Sequence, residues 1–309
     1  MKIRVGIAQF APVVLDLKRS VDKAIDIIKE ASRKKVQLLA FPETWIPVYP
    51  VWADMGSYSQ WDNEPGKKLY ARLLKNSLAV PSPELDKIAR ACKKANMHVM
   101  LGVNERFGKS MFNSLLFINT KGELIGHHRK LVPTHGERLV WGHGDGEGLR
   151  VHETPFGNVG GLICWEHWMP PARHVLHELG ETIHVAAWPH GKERHQIASR
   201  HYAFEGRCFV LAAAMVLEKK MFPSDYELRD ELKAQPDTLL EGGSAIIGPD
   251  GNYLVEPVYG KEGLITAEIE TDRALEESLT LDVAGHYSRP DVFELRVIRK
   301  RRSLPANNR

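Results

Sequence analysis

Cysteine is scarce in this chain, whose 309 residues include three, Cys92, Cys164 and Cys208. The count is odd and the three are widely spaced, with no Cys-x-x-Cys pair. A disulfide framework therefore is not predicted, and neither is a zinc ribbon.

The chain also has little excess charge and no long apolar run. Its formal net charge of +3 at pH 7 is too small to predict binding to nucleic acid. No apolar stretch approaches the ~20 residues that cross a bilayer, and residues 1–10 lack the apolar core of a signal peptide. We therefore expect no nucleic-acid partner, no membrane partner and a cytoplasmic location.

Internal linkers and repeats are missing as well. Hydrophobic residues make up 43% of the chain and charged residues 26%, which is typical of a globular domain. We predict one domain over residues 1–295, followed by a basic and flexible tail over residues 296–309. Glycines near residues 142–146 do not have Gly-x-Gly-x-x-Gly spacing and do not directly follow a strand, so phosphate binding is not predicted.

Predicted strands and helices alternate from the start of the chain. A strand over residues 3–10 precedes a helix over residues 16–34, whose apolar residues recur at helical spacing, and a second strand over residues 36–40. This β-α-β order predicts a parallel pair with a crossover helix. Later strands are predicted at residues 97–103, 112–119, 124–129, 182–187 and 208–215, and later helices at 66–77, 83–96 and 193–207.

Residues 157–171 hold the stretch around which we organise the chain. The apolar run Val159–Ile163 leads into Cys164, and a helix is predicted over residues 172–180. A thiol at a strand-to-helix junction would feel the positive end of the helix dipole, which favours thiolate. The N–H of Trp165 could then face a developing negative charge. On this stretch alone, a nucleophile and a small buried hydrophobic residue are equally good interpretations of Cys164.

Two more reactive side chains follow predicted strands. Glu43 comes just after the strand over residues 36–40, and Lys130 ends the strand over residues 124–129. A thiolate is a nucleophile for carbon, a carboxylate can take its proton, and an ammonium can stabilise charge on the attacked group. Each residue alone would be an ordinary surface or core residue, so their shared position at strand ends carries the hypothesis.

Three motifs resemble those of the nitrilase superfamily, in the same order along the chain: Phe41-Pro42-Glu43, Arg129-Lys130-Leu131 and Cys164-Trp165-Glu166. The resemblance spans about residues 3–295. Stretches typical of the true nitrilase branch are Pro133-Thr134-His135-x-Glu137-Arg138, Cys-Trp-Glu-x-x-Met-Pro at residues 164–170 and Gly285-His286-Tyr287-x-Arg289-Pro290-Asp291. The chain departs from the common pattern at Gly136 and at Trp141-Gly142-His143.

The resemblance implies an α/β fold, a four-layer αββα sandwich that dimerises or forms a higher homo-oligomer. It also implies Glu43 as general base, Lys130 as stabiliser of tetrahedral species, Cys164 as nucleophile and Glu137 as a supporting glutamate. No metal ion and no organic cofactor are implied. The histidines near the second motif, at positions 127, 128, 135 and 143, are expected to be structural or exposed.

The implied reaction converts a small-molecule nitrile and two waters into a carboxylic acid and ammonia. We expect substrate contacts from Tyr49, His135, Trp165 and Trp188, and the aromatic stretch at residues 45–61 suits an apolar substrate. An amide or carbamoyl-amide hydrolase and a cyanide-degrading enzyme are alternatives on the same fold. A catalytically inactive binding protein is an alternative from another class, although the intact residues 43, 130 and 164 oppose it.

Overall fold

The first half of the chain contributes most of a mixed seven-stranded sheet. A computed structural model describes residues 1–301, and all structural statements here concern that part of the chain. The strands of this first sheet are β1 (Lys2–Gln9), β2 (Leu38–Ala40), β3 (Leu78–Ala79), β4 (His98–Phe107), β5 (Ser110–Ile118), β6 (Leu124–Arg129) and β14 (Gly263–Glu270). Their order is β14-β1-β2-β4-β5-β6, with β3 beside β4. Strands β1, β2 and β4 are parallel, which confirms the predicted crossover.

The second half forms another mixed seven-stranded sheet. Its strands are β7 (His152–Thr154), β8 (Gly157–Ile163), β9 (Ile183–Ala187), β10 (Phe209–Ala213), β11 (Val216–Glu218), β12 (Thr238–Ile247) and β13 (Tyr253–Tyr259). Their order is β11-β12-β10-β9-β8-β7, with β13 beside β12. Strands β8, β9 and β10 are parallel. Both parallel cores therefore come from segments in which helices connect consecutive strands.

Helices cover the outer face of each sheet. They are α1 (Leu17–Arg33), α2 (Glu64–Asn76), α3 (Pro83–Ala95), α4 (Pro170–Glu178), α5 (Glu193–Gly206), α6 (Arg229–Lys233) and α7 (Arg273–Glu277). Asp16 is the N-cap of α1: its side chain accepts a hydrogen bond from the N–H of Arg19 and so satisfies one free donor at the start of the helix. Helices α1 and α3 pack on the first sheet, and α4 and α5 pack on the second.

The two sheets stack on each other through fully buried aliphatic side chains such as Val5, Leu115 and Val185. Burying one such side chain contributes roughly 1.5–3 kcal/mol. The layers are therefore helices, sheet, sheet and helices, which confirms the predicted αββα sandwich.

The structure contains elements that the sequence pattern does not predict. Residues Cys164–Trp168 form a short 3₁₀ helix before α4 begins. Residues 218–241 are polar and have no clear periodicity, yet they include α6 and the start of β12.

The start of the predicted tail contacts the domain. Arg299 donates a hydrogen bond to the carbonyl of Leu149, and Arg301 donates one to the carbonyl of His127. Residues 302–309 lie outside the described part, so the boundary at residue 295 stays a prediction. Within residues 1–301, no helix has the length and apolar character to cross a bilayer.

Candidate active site

The turn after β2 brings Glu43 to the interface between the sheets. Its backbone N–H donates to the carbonyl of Trp188, which follows β9 in the other sheet, at 3.3 Å. A Cβ on Gly102 of β4 would lie 2.0 Å from the carbonyl oxygen of Pro42 and 2.7 Å from the amide nitrogen of Thr44. Glycine is therefore required at position 102 for this turn to lie so close to β4.

Lys130 places its ammonium between two carboxylates. Its Nζ atom lies 2.9 Å from Glu43 Oε1 and 2.6 Å from Glu137 Oε2, and all three side chains are at least 95% buried. Burial disfavours the charge on Lys130, but attraction to the ionised form of Cys164 and to the carboxylates of Glu43 and Glu137 outweighs burial and raises the pKa of Lys130 above its ordinary value. The buried ammonium of Lys130 thus lies where β2 and β6 end.

The two glutamates differ in how their oxygens are occupied. Glu137 Oε1 accepts from the hydroxyl of Tyr49 at 2.9 Å, and Glu137 Oε2 accepts from Lys130 and from the N–H of Thr134. Glu43 Oε1 accepts from Lys130 and from the amide of Asn113, at 2.6 Å from the latter. Glu43 Oε2 is buried without a hydrogen-bond partner. Both oxygens of Glu137 therefore accept hydrogen bonds, whereas Glu43 keeps one oxygen without a partner.

The protonation equilibrium of Glu43 lies in the neutral range. Burial raises the pKa of Glu43 to about 7, and repulsion from Glu137 also raises it. The nearby ammonium of Lys130 acts in the opposite direction and lowers this pKa. A general base works best when its pKa is close to the operating pH. Glu43 therefore has both the free oxygen and the pKa of a base.

Cys164 sits immediately after β8 in a left-handed backbone conformation, with φ of 53°. Such a φ in a non-glycine residue costs energy and persists only where the surroundings impose it. Its sulfur and one oxygen each from Glu43 and Glu137 lie within 4.8 Å of one another. The structure thus brings the three strand ends together, and the interpretation of Cys164 as core filler loses its support.

The expectation that the helix dipole favours a thiolate at Cys164 was wrong. Burial raises the pKa of the Cys164 thiol well above its ordinary value, as does the negative charge of Glu43, while Lys130 and the N–H of Trp165 lower it by less. The element that follows Cys164 is a short 3₁₀ helix and not the expected α-helix. The resting group is a thiol, so it needs a base.

Glu166 belongs to the Cys164-Trp165-Glu166 motif, although the sequence predicts no role for it. In the structure, its side chain connects the ends of two strands. Its carboxylate accepts from the N–H groups of Ile163 and Leu131 at 2.7 Å each, and from His128 at 2.9 Å. Burial would raise the pKa of Glu166, but His128 and the two N–H groups outweigh burial and lower it. Glu166 therefore ties the segment of Cys164 to that of Lys130.

A cavity of about 410 Å³ opens onto the thiol and is lined by Tyr49, His135, Trp165, Glu137, Cys164 and Pro189, with charged and imidazole side chains at positions 54, 190 and 192–195. Three of the four predicted substrate contacts, Tyr49, His135 and Trp165, line it. Trp188 is fully buried behind Trp165, with its indole N–H donating to Ser199.

Two histidines that were not predicted as site residues, His190 and His195, also line this cavity. Burial lowers the pKa of His190 to about 3, helped by the charges of His195 and Lys192. Burial also lowers the pKa of His195 to about 4. Both imidazoles are neutral near pH 7, so they offer hydrogen bonds rather than charge. No periodicity or known motif marks these two residues in the sequence.

The aromatic lining expected from residues 45–61 does not form. Trp45 and Trp52 are fully buried in the core of the first helix layer, and Trp61 is 90% exposed. Tyr49 alone among the five rings lines the cavity. The cavity wall is therefore more polar than the sequence suggested.

The histidines near the second motif are placed separately. His127 contacts Glu105 at 2.8 Å, and His135 is exposed and lies 3.2 Å from Asp54. Within residues 1–301, the atoms that could bind a metal ion come together at Glu43, Glu137 and Cys164, and not at these histidines. Since Lys130 contacts both of these carboxylates, the cation between them is an ammonium.

Comparison with known proteins gives a consistent result over nearly the whole chain. A family profile described as carbon-nitrogen hydrolase matches residues 4–276. The chain is 41% identical to a protein named nitrilase 2 from an unknown prokaryotic organism, over 97% of this chain and 94% of that protein. It is 37% identical to the aliphatic nitrilase of Rhodococcus rhodochrous, over 96% of this chain and 79% of that protein.

Solved structures of lower identity share the fold. A carbon-nitrogen hydrolase from Helicobacter pylori superposes with a TM-score of 0.73 at 18% identity, over 94% of this chain and 97% of that one. An amidase of the nitrilase superfamily from Nesterenkonia superposes with a TM-score of 0.64 at 15% identity, over 89% and 93%. Fold alone therefore does not separate nitriles from amides as substrates.

Proposed function

The chain belongs to the carbon-nitrogen hydrolase family, and we propose that it hydrolyses a small organic nitrile to the carboxylic acid and ammonia through a covalent intermediate on Cys164. The relatives at 36–41% identity, all named nitrilases, support the nitrile as substrate. The observation that carries the mechanism is the carboxylate of Glu43, which has one oxygen without a hydrogen-bond partner and lies within 4.8 Å of a thiol whose pKa is raised.

In the first half of the reaction, Glu43 takes the thiol proton as the Cys164 sulfur bonds to the nitrile carbon. The nitrile nitrogen receives that proton, which leaves a thioimidate on Cys164. One water then adds to the thioimidate carbon, and Glu43 takes a proton from this water and passes it to the nitrogen. Lys130 stabilises the tetrahedral species. The hydroxyl proton of that species then passes through Glu43 to the nitrogen as the carbon–nitrogen bond breaks, and ammonia leaves.

The second half hydrolyses the resulting thioester. A second water attacks the thioester carbon, its proton passes to Glu43, and the carbon–sulfur bond breaks. The acid is released and Cys164 recovers its proton. Glu137, whose oxygens are both occupied, holds Lys130 and serves as a positioning residue. A reducing cytoplasm, which keeps Cys164 as a thiol, is the proposed location.

The substrate assay compares nitriles with the matching amides. We expect acid and ammonia from members of a panel containing benzonitrile, phenylacetonitrile and a dinitrile, at rates above those from the amides. Turnover of amides alone would assign the chain to amide hydrolysis, and turnover of cyanide alone would assign it to cyanide degradation. Binding without any turnover would leave a binding protein.

We also propose that the protein is at least a homodimer whose interface lies near residues 193–215. The exposed face of α5 would form it, because β10 is fully buried. The outer face of α5 carries Ile197 and Phe204, which are 49% and 48% exposed. Large exposed apolar side chains on one face suit a protein–protein interface. These exposed side chains support α5 as the interface, and light scattering tests the oligomeric state.

A further inference from the structure

A chain of four buried side chains runs from Cys164 toward a second cavity. His167 Nδ1 lies 2.7 Å from the backbone oxygen of Cys164, and His167 Nε2 lies 2.9 Å from His184 Nε2. His184 Nδ1 lies 2.8 Å from Glu181 Oε1, and the hydroxyl of Tyr202 donates to Glu181 Oε2 at 2.6 Å. We call these four side chains the Glu181 relay.

The positions of the protons in this chain follow from what each atom can do. The backbone oxygen of Cys164 only accepts, so His167 Nδ1 carries a hydrogen. A neutral His167 then accepts at Nε2, and His184 must donate from its own Nε2. His184 Nδ1 and Glu181 Oε1 consequently share one proton, since two bare lone pairs at 2.8 Å would repel. The relay is complete only with that proton.

We propose that the Glu181 relay positions the backbone of Cys164, and that it does so only while Glu181 and His184 share a proton. The proposal rests on Cys164 being the nucleophile. The hydrogen bond from His167 holds the carbonyl of a residue whose left-handed φ has to be imposed by its surroundings. The relay residues therefore position the thiol through the backbone of Cys164 rather than through its sulfur. These positioning residues are His167, His184 and Glu181.

Loss of the shared proton reverses the relay. His184 then donates from Nδ1 to the ionised Glu181, and its Nε2 becomes an acceptor. His167 must donate from Nε2, which leaves a bare Nδ1 facing the oxygen of Cys164. Loss of a proton at Glu181 thus breaks the hydrogen bond between His167 and the backbone oxygen of Cys164, at the other end of the relay.

The surroundings of Glu181 keep the shared proton at neutral pH. Burial raises the pKa of Glu181 to about 8, against the Tyr202 hydroxyl, His177 and the N–H of Gly160, which lower it. Burial also lowers the pKa values of His167 and His184 well below their ordinary range. The other titratable or charged groups that act on the relay are Glu166 and His128 beside its histidines, and Cys208, Glu205 and Arg173 around Tyr202 and His167.

The sign of the effect follows from the raised pKa. Positioning is complete below pH 8 and is lost as the pH rises through about 8. Glu181 and His177 are among the residues around the second cavity, which has a volume of about 340 Å³, while the carboxyl group of Glu181 is itself fully buried. Because one neutral hydrogen bond is lost, turnover should fall roughly two- to tenfold.

Nitrogen NMR of the resting enzyme, labelled with ¹⁵N-histidine, tests the relay without any substrate. At pH 7 we expect His167 protonated at Nδ1 and His184 at Nε2, with both tautomers exchanging positions across pH 8. Unchanged tautomers from pH 6 to 9.5 would overturn the proposal. This result is independent of nitrile turnover, so its failure is distinguishable from failure of the proposed function.

Three variants test the link to the thiol. Glu181→Gln supplies a permanent donor to His184 and an acceptor for Tyr202, so the alkaline loss near pH 8 should disappear from both turnover and the rate of Cys164 alkylation by iodoacetamide. Tyr202→Phe removes a donor that lowers the pKa of Glu181, so the alkaline midpoint should move upward. Glu178→Gln, in the same cavity but outside the relay, is the control and should behave as the parent.

Two outcomes would contradict this account. One is an alkaline midpoint in Glu181→Gln identical to that of the parent enzyme. The other is a midpoint in Tyr202→Phe that stays or moves downward, which decides the question even if Glu181→Gln does not fold.

Discussion

Replacing each of the two glutamates beside Lys130 by glutamine separates a base from a support. Glu43 has one oxygen without a partner, whereas both oxygens of Glu137 accept hydrogen bonds from fixed donors. The substitutions keep size and hydrogen bonding but remove the negative charge and the basic oxygen. We predict that Glu43→Gln nearly abolishes both acylation of Cys164 and hydrolysis of the thioester, while Glu137→Gln reduces turnover and still allows acylation.

The contacts give the expected magnitudes. General base assistance contributes about 10²–10⁴-fold to a step, and Glu43 assists both halves of the reaction. Glu137→Gln weakens one charge-assisted hydrogen bond to Lys130, worth about 1.5–3 kcal/mol, or roughly a ten- to hundredfold loss of turnover. The two losses should not add in the double variant, because both carboxylates contact Lys130 and the three side chains act as one unit.

The pH profile supplies an independent check. Glu43 acts as a base in its ionised form, so kcat/KM of the parent enzyme should fall as the pH decreases through about 7. The charge of Glu137 is among the causes that raise the pKa of Glu43. In Glu137→Gln the acidic midpoint should therefore move to lower pH.

Single-turnover mass spectrometry with one nitrile measures the acylation of Cys164 directly in both variants. Normal acylation in Glu43→Gln together with no acylation in Glu137→Gln would reverse the roles and refute the reasoning. An unshifted acidic midpoint in Glu137→Gln would refute the electrostatic part alone.

Three further predictions concern the thiol, the turn and the assembly. Cys164→Ala should fold and lose turnover, and a slow nitrile should modify Cys164 in native mass spectrometry; an adduct on Cys92 or Cys208, whose pKa values burial also raises, would overturn the assignment. Gly102→Ala should destabilise the fold by about 1–3 kcal/mol, measured by denaturant unfolding, and lower turnover on the order of 100-fold, measured by kinetics. The control is Gly56→Ala, whose Cβ meets nothing within 4 Å and which should match the parent. Equal behaviour of the two variants would contradict the close approach at residue 102. Light scattering should show at least a dimer, and a fully active monomer would disprove the proposed association.

Local patterns in the sequence were sufficient to predict the strand ends that carry the site. The β-α-β order placed Glu43 after a parallel strand, and the apolar run before Cys164 predicted a second one, because hydrophobic periodicity and chain order are local properties. The motif order then implied which residues act together, and the structure places their side chains within contact distance. The αββα layers followed from the same resemblance.

Tertiary structure alone decided the state of the side chains at the site. Burial, which depends on residues far apart in the chain, made Cys164 a thiol where the local helix argument expected a thiolate. Burial in the core also removed Trp45 and Trp52 from the expected cavity lining. Long-range contacts made Glu166 a link between strand ends and joined Glu181 to Cys164 through two histidines. Desolvation and contacts between distant residues have no periodic signature in a sequence, and for this reason they became visible only in the folded chain.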